Sequence, residues 1–209
     1  MMYLRNSIGT PAESGFIPPG LPSFDSSRVH GYHYDPVKAR ILLAEAGFPN
    51  GAGLPLVTLK TIDTYADLAG FITRQIEEIG MRVQIDITQK SLLLEETAKS
   101  QALFFRGSWI GDYPDAENYL SVFYSENPAP PNYTRYKNRL FDELYRNSLV
   151  ENNDSIRYSL YRKMDQIMIL DAPVVPLWYD QVIHLVNPAV TGFEANGLNL
   201  LELRHTRIR

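Results

Sequence analysis

Two oppositely charged side chains, Arg106 and Asp112, flank a five-residue segment that contains two glycines and one tryptophan. A guanidinium binds a carboxylate through two parallel hydrogen bonds, and a carboxylate binds an ammonium group. In an extended segment the two residues would lie up to about 20 Å apart, so they could hold both ends of a small zwitterion or meet at one end of it. The main chain of residues 108–111 could pair with an extended guest as an added strand.

Three nearby carboxylates, Asp112, Asp115 and Glu117, raise the alternative of catalysis. Paired carboxylates supply the acid and the base in glycoside hydrolysis. Asp115 and Glu117, however, stand at the start of a predicted helix, where the helix dipole favours negative charge. No serine, cysteine or metal constellation accompanies them. We therefore predict a protein that is not an enzyme and needs no cofactor.

His30 and His33 have a spacing that brings two imidazoles close together, and imidazole is a good ligand for nickel. The chain has four histidines, and this pair lies in a predicted loop. A surface or hydrogen-bonded role is the commoner outcome for such histidines, so we predict no metal site.

Composition narrows the class of protein further. The formal net charge of -4 leaves no surplus of Lys and Arg to neutralise a phosphate backbone, so we expect no nucleic-acid partner. Cysteine is absent, which excludes disulfides and thiolate metal sites. No apolar run reaches the roughly 18 residues of a membrane helix. Residues 1–20 lack the continuous apolar stretch of a secretory signal, so export cannot be read from the chain.

The pattern of apolar residues predicts an α/β fold with a parallel pair of strands. Residues 54–60 and 81–87 are typical of strands, and residues 65–79 between them have apolar side chains at helical spacing. A strand, helix and strand in this order imply a right-handed crossover. A short helix over 91–100 and a strand over 102–105 follow, and this strand delivers its end into the segment that begins at Arg106.

The remaining elements are mostly helical. Asp35 and Pro36 predict the cap and first turn of a helix that ends at Gly47. The other predicted elements are an extended arm over 10–34, helices over 115–123, 138–150 and 154–170 with Asp154 as cap of the last, a loop over 125–134, strands over 174–179 and 182–186, and an apolar run over 198–203.

At this point the chain resembles a known family, the large solute-binding proteins for oligopeptides, dipeptides and nickel. The resemblance covers nearly the whole chain. It rests on Gly15-Phe16-Ile17-Pro18-Pro19, Tyr34-Asp35-Pro36, Ala46-Gly47-Phe48, Glu78-Ile79-Gly80, Trp109-Ile110-Gly111-Asp112-Tyr113-Pro114-Asp115, Ala172-Pro173-Val174-Val175-Pro176-Leu177, Leu185-Val186-Asn187-Pro188 and Gly192-Phe193.

The resemblance implies a periplasmic-binding-protein-like second lobe, with a mixed sheet flanked by helices, over residues 1–176. Residues 177–209 would be a return segment that completes a first lobe, which this sequence lacks. The tail strands would then lie on their own lobe, pair with another copy or be poorly ordered.

In function, the resemblance implies the extracytoplasmic substrate-binding component of an ABC importer, periplasmic or lipid-anchored, with a short peptide and the membrane permease subunits as partners. It places Arg106 at the ligand's carboxyl end, Asp112 at its amino end and Trp109 in the cleft. The full set of expected ligand-binding residues is Arg106, Ser108, Trp109, Ile110, Gly111 and Asp112.

One position departs from the family pattern. Asp180 stands where several oligopeptide binders have a cleft tyrosine, which bears on the preference for peptides. Three alternatives also remain. Relatives in the family bind nickel, and the 13 tyrosines and two tryptophans would suit an oligosaccharide receptor of the same fold. The third alternative is a sensor that signals without delivering cargo.

Overall fold

In the computed structural model, the described part of the chain comprises residues 8–196 and 200–209, and it holds six α-helices and seven short strands. The helices are α1 (Pro36–Glu45), α2 (Ala66–Glu78), α3 (Lys90–Ala98), α4 (Ala116–Leu120), α5 (Arg139–Val150) and α6 (Asp154–Asp171). The strands are β1 (Thr10–Pro11), β2 (Val57–Thr61), β3 (Val83–Ile87), β4 (Phe104–Phe105), β5 (Trp178–Tyr179), β6 (Val190–Thr191) and β7 (Arg207–Ile208). No helix in this part of the chain is long and apolar enough to cross a membrane.

A three-stranded parallel sheet has β2 at its centre, with β3 on one side and β4 on the other. The crossover between β2 and β3 is α2, so the predicted strand–helix–strand unit and its parallel pair are confirmed. Leu59, Ala69 and Val83 form a small buried core between this sheet and α2. The antiparallel pairs occur outside this sheet, where β1 joins β5 and β6 joins β7.

The larger core lies around α4, α5 and α6. Its buried members are Ile17, Ala116, Leu120, Val122, Phe123, Tyr124, Tyr136, Phe141, Tyr145, Tyr161, Met164, Met168 and Ile169. Phe123, Tyr136 and Phe141 meet edge to face, with ring centroids 5.6 to 6.4 Å apart. Such aromatic contacts add to the stabilisation that burial provides. This core fixes α4, the helix that follows the candidate site.

The opening arm is an integral part of this core. The main-chain N–H of Phe16 donates to the Asp165 carboxylate at 2.8 Å, and Ile17 is almost completely buried. Near its start, β1 pairs with β5, so the points where the chain enters and leaves the helical region lie side by side. The predicted strand over 174–179 is reduced to β5 because its ladder with β1 is only two residues long.

The first helix begins as predicted, since the Asp35 side chain accepts a hydrogen bond from the N–H of Lys38. None of its residues is buried, however, and Ile41 and Leu42 are about half exposed. A polar contact, in which Arg40 donates to the main-chain oxygen of Glu78, holds α1 to α2. The apolar pattern thus predicted the helix correctly, but the apolar face of this helix is not buried.

The predicted cap of α6 was wrong by one residue. Asn153 is the cap, and its side chain accepts hydrogen bonds from the N–H groups of Ser155 and Ile156. Asp154 is already helical, and its carboxylate pairs with Arg157 at 2.7 Å. Asn and Asp cap helices about equally well, so the sequence alone did not separate them.

The strand predicted over residues 182–186 is also wrong. Residues 182–186 form no strand, and Leu185 is 96% exposed. In the predicted apolar run over 198–203, positions 198 and 199 lie outside the described residues, and the remainder forms no strand. A strand requires a partner for its main chain, and in the described tail that pairing is confined to the short ladder between β6 and β7.

Candidate functional site

The segment from residue 106 to 112 leaves the parallel sheet at the carboxyl end of β4. Phe105 pairs with Lys60 of β2, and the N–H of Arg106 donates to the oxygen of Lys60 at 2.9 Å, which is the last sheet contact. Ligand sites of open α/β sheets collect at the carboxyl ends of their strands. The sheet therefore positions this loop where such sites form.

Arg106 lies against two aromatic side chains from distant parts of the sequence. Its guanidinium carbon is 3.6 Å from the ring centroid of Tyr65 and 5.9 Å from that of Trp178. One guanidinium nitrogen also donates to the hydroxyl of Ser108 at 3.4 Å. A cation over an aromatic face is held in a defined plane, which suits a bidentate contact with a carboxylate. Sequence reasoning missed both rings because only the fold brings them to Arg106.

Trp109 is half-buried, and its ring packs against the larger core. Its indole N–H donates to the side-chain oxygen of Asn118 at 2.9 Å. The side chain thus has an anchored polar edge and a partly exposed face.

Asp112 is exposed, and its position is set by groups of α4. Its main-chain N–H donates to the side-chain oxygen of Asn118 at 3.2 Å, and the amide nitrogen of Asn118 lies 3.5 Å from the Asp112 carboxylate. The preceding residue, Gly111, is buried and donates its N–H to the hydroxyl of Tyr119 at 3.2 Å. A Cβ at Gly111 would come within 3.0 Å of the Tyr119 ring, so this close approach favours glycine.

Between the two charged residues, every residue except the buried Gly111 is partly or largely exposed. Ile110 has 78% of its surface accessible, and Ser108 and Gly107 are also exposed. In residues 8–196 and 200–209, no hydrogen bond joins the main chain of residues 108–110 to another group of the chain. This stretch can therefore accept an extended partner without breaking a ladder.

The other two carboxylates of the predicted cluster are engaged in helix contacts. Asp115 caps α4 by accepting from the N–H of Glu117, and it pairs with Arg157 at 2.8 Å. Glu117 accepts hydrogen bonds from the hydroxyls of Tyr113 and Tyr145. Burial, together with the hydrogen bond to Glu117, raises the pKa of Tyr145, so this hydroxyl remains a donor. Asp115 and Glu117 line an open concavity of about 520 Å³. Both carboxylates are already engaged there by side chains of the protein.

The two histidines of the predicted loop have different surroundings. The main chain of His30 is bracketed by Gln166, which accepts from its N–H and donates to its oxygen, and His33 is exposed. Among the residues that the structure describes, no group of three or more His, Cys, Asp or Glu side chains could hold a metal ion.

The fold is that of periplasmic binding proteins. The structure is similar to DppA from Helicobacter pylori in complex with the peptide STSA, with a TM-score of 0.85 and 25% identity, over 99% of this chain and 40% of that one. It is also similar to a periplasmic oligopeptide-binding protein from Borrelia burgdorferi, with a TM-score of 0.75 and 25% identity, over 99% of this chain and 42% of that one.

Residues 3–131 match the family described as bacterial extracellular solute-binding proteins, family 5 Middle, and the chain belongs to this family. The family consists of substrate-binding proteins. The glutathione-binding protein GsiB of Escherichia coli is 28% identical over 193 residues, which are 88% of this chain and 37% of that protein. The chain thus spans little more than a third of the curated relatives that it matches. The resemblance inferred from the sequence motifs is confirmed.

Proposed function

We propose that this chain is the second lobe and the return segment of an extracytoplasmic substrate-binding component of an ABC importer, and that it binds short peptides without covalent chemistry. The observation that carries the proposal is the loop after β4. There the exposed carboxylate of Asp112 and the stacked guanidinium of Arg106 flank a stretch that is largely exposed over residues 107–110. This pattern matches a peptide, which has an ammonium at one end, a carboxylate at the other and main-chain donors and acceptors between them.

In this proposal residues 1–176 are the second lobe, and residues 177–209 complete the first lobe. The ladder between β1 and β5 supports the boundary, because it brings together the two segments by which the chain enters and leaves. Beyond Tyr179 none of the described residues is buried, and large apolar side chains such as Ile183 and Leu201 are exposed. Apolar surface of this extent is characteristic of an interface, here with the first lobe.

The proposed mechanism is capture by closure of the two lobes. A ligand that contacts both lobes stabilises the closed form by its additional interactions there, and the membrane permease then opens that form and accepts the cargo. The two adjacent strands β1 and β5 would act as the hinge. The protein would work in the periplasm or on a lipid anchor outside the cytoplasm.

The decisive experiment is calorimetric titration of the complete protein that contains residues 1–209 with a short unmodified peptide. If closure of the lobes buries the pair of Asp112 and the peptide ammonium, Asp112→Ala should weaken binding by about 2 to 5 kcal/mol, because the ammonium is left without its charged partner. Glu126→Ala is the matched control, since it removes an exposed carboxylate that pairs with Arg146 outside the loop. The affinity of Glu126→Ala for the peptide should equal that of the unaltered protein.

Acetylating the amino end of the peptide should produce a similar loss in the unaltered protein and little further loss in Asp112→Ala. Equal affinity of the unaltered protein and Asp112→Ala would remove Asp112 from the site. Saturable binding of nickel or of an oligosaccharide, without binding of peptides, would replace the proposal with one of the alternative receptors. Peptide binding without transport through the neighbouring permease would favour a sensor.

A further inference from the structure

The side chain of Asn118 connects two of the proposed ligand-binding residues. Asn118 belongs to α4 and is only 4% exposed. Its amide oxygen accepts hydrogen bonds from the indole N–H of Trp109 and from the main-chain N–H of Asp112, at 2.9 and 3.2 Å. Its amide nitrogen lies 3.5 Å from the nearer carboxylate oxygen of Asp112.

The chemistry of these partners fixes the orientation of the Asn118 amide. An indole N–H and a main-chain N–H can only donate, so the side-chain oxygen must face both of them. The amide NH2 group is then directed at the Asp112 carboxylate, which accepts. A rotation of the amide by a half turn would place donors against donors at two positions, so one orientation is strongly preferred.

The helix that carries Asn118 is itself firmly held. Ala116 and Leu120 are buried in the larger core on either side of it. At the start of α4, Asp115 pairs with Arg157 of α6 at 2.8 Å. Packing and this ion pair therefore fix the position of Asn118, and through Asn118 they fix the loop above it.

We propose that Asn118 is the positioning residue of the ligand site, because its one amide orients the Asp112 carboxylate and anchors the Trp109 ring. This inference rests on the proposed function and adds a residue to it. Asn118 does not touch the peptide. Because one side chain holds both ligand-binding residues, the contributions of Trp109 and Asp112 to affinity are coupled.

The test compares Asn118→Asp and Asn118→Leu in the complete protein. Asn118→Asp retains an acceptor for the Trp109 and Asp112 N–H groups, but it replaces the NH2 group by an oxygen that repels the Asp112 carboxylate. Asn118→Leu removes all three interactions. We expect the affinity for an unmodified peptide to fall at least tenfold in both variants. Acetylation of the peptide's amino end should then cost less affinity in the variants than in the unaltered protein.

A spectroscopic signal separates positioning from a general loss of structure. In the complete protein, the indole N–H resonance of Trp109 can be assigned as the one that Trp109→Phe removes. The resonance should stay near its original position in Asn118→Asp and move toward that of a solvent-exposed indole in Asn118→Leu. Asn127→Ala is the control, since Asn127 bonds the oxygen of Ser121 past the end of α4. It should change neither the resonance nor the affinity.

Several outcomes would overturn the inference. Affinity within twofold of the unaltered value in both Asn118 variants would overturn it while leaving the proposed function intact, and so would an unchanged indole resonance in Asn118→Leu. If Asn118→Leu does not fold, unchanged affinity of Asn118→Asp alone is sufficient to overturn it. No peptide binding by the unaltered protein would reject the proposed function, and this inference with it.

Discussion

The carboxylate of Asp165, on α6, accepts a hydrogen bond from the main-chain N–H of Phe16, which lies 149 residues earlier in the chain. The other carboxylate oxygen accepts from the N–H of Ile17 at 3.3 Å. Beside this contact, the hydroxyl of Tyr179 donates to the main-chain oxygen of Gly15 at 3.0 Å. The opening arm, α6 and the proposed hinge strand β5 are therefore joined at one buried point. A Cβ at Gly15 would collide with the Asp165 carboxylate, so only glycine fits there.

Stability should depend on pH through Asp165. Burial raises its pKa from the ordinary 3.8 to about 7, although the hydrogen bonds from Phe16 and Ile17 act in the opposite direction. Between about pH 4 and pH 7 the folded state thus binds a proton that the unfolded state has lost, and stability falls as pH rises. One pKa unit corresponds to about 1.4 kcal/mol, so the fall should be on the order of 4 kcal/mol.

Urea unfolding at pH 4, 5.5 and 7 tests this expectation, with Asp165→Asn as the comparison. Replacing the titratable group should make the free energy of unfolding less dependent on pH across this range, whatever the variant's absolute stability. The same slope in both proteins would show that other groups cause the dependence.

Phe141 should be among the residues most important for the stability of the larger core. It is completely buried and contacts the rings of Phe123 and Tyr136. Phe141→Ala should lower the free energy of unfolding by about 3 to 5 kcal/mol, because it leaves a cavity that close-packed neighbours cannot fill. Leu103→Ala, at a position 94% exposed, should change it by less than about 0.5 kcal/mol. Chemical denaturation measures both values. Similar losses of stability in Phe141→Ala and Leu103→Ala would show that Phe141 does not lie in the core.

Two glycines of the sheet region should respond oppositely to replacement by alanine. Gly80 ends α2 with a φ of +99°, and a Cβ there would lie 2.2 Å from the oxygen of Asn50. Gly80→Ala should therefore destabilise the protein by about 1 to 3 kcal/mol. Gly70 lies inside α2 with open space around it, so Gly70→Ala should stabilise by roughly 0.5 to 1 kcal/mol. Thermal unfolding of both variants provides the measurement. A loss of stability in Gly70→Ala would show that a Cβ at this position does not fit beside α2.

Two truncations should distinguish the lobe from the return segment. In the 209-residue chain without the first lobe, removing residues 182–209 deletes none of the buried residues that the structure describes, so the remaining chain should unfold with a free energy within about 1 kcal/mol of the original. Removing residues 177–209 also deletes Trp178 and Tyr179, with the ladder to β1 and the contact to Gly15. That chain should be less stable by more than about 2 kcal/mol. Equal stability of both truncations would move the proposed boundary.

Arg106 should discriminate between peptides by their carboxyl end. In the proposed site it pairs with the terminal carboxylate, and charged hydrogen bonds of this kind contribute about 1.5 to 3 kcal/mol. In the unaltered complete protein, amidating the peptide should therefore weaken binding about 10- to 100-fold. In Arg106→Gln the free and amidated peptides should bind almost equally. Calorimetry with both peptides checks this expectation. If Arg106→Gln preferred the free peptide over the amidated one as strongly as the unaltered protein does, Arg106 would not bind the terminal carboxylate.

The sequence by itself determined the local elements and the family. Apolar spacing predicted α2 and α5, alternation predicted β3, and motifs along nearly the whole chain indicated the family to which it belongs. These features depend on residues that are close in sequence, so their pattern can be read without coordinates.

The tertiary structure alone decided which distant groups meet. Tyr65 and Trp178 reach Arg106, Asp165 reaches the arm, and a buried amide of α4 holds the loop before it. It also decided that residues 182–186 form no strand, although their composition suits one. A strand and a buried polar contact each need a partner from elsewhere in the chain, and local sequence does not specify where that partner lies.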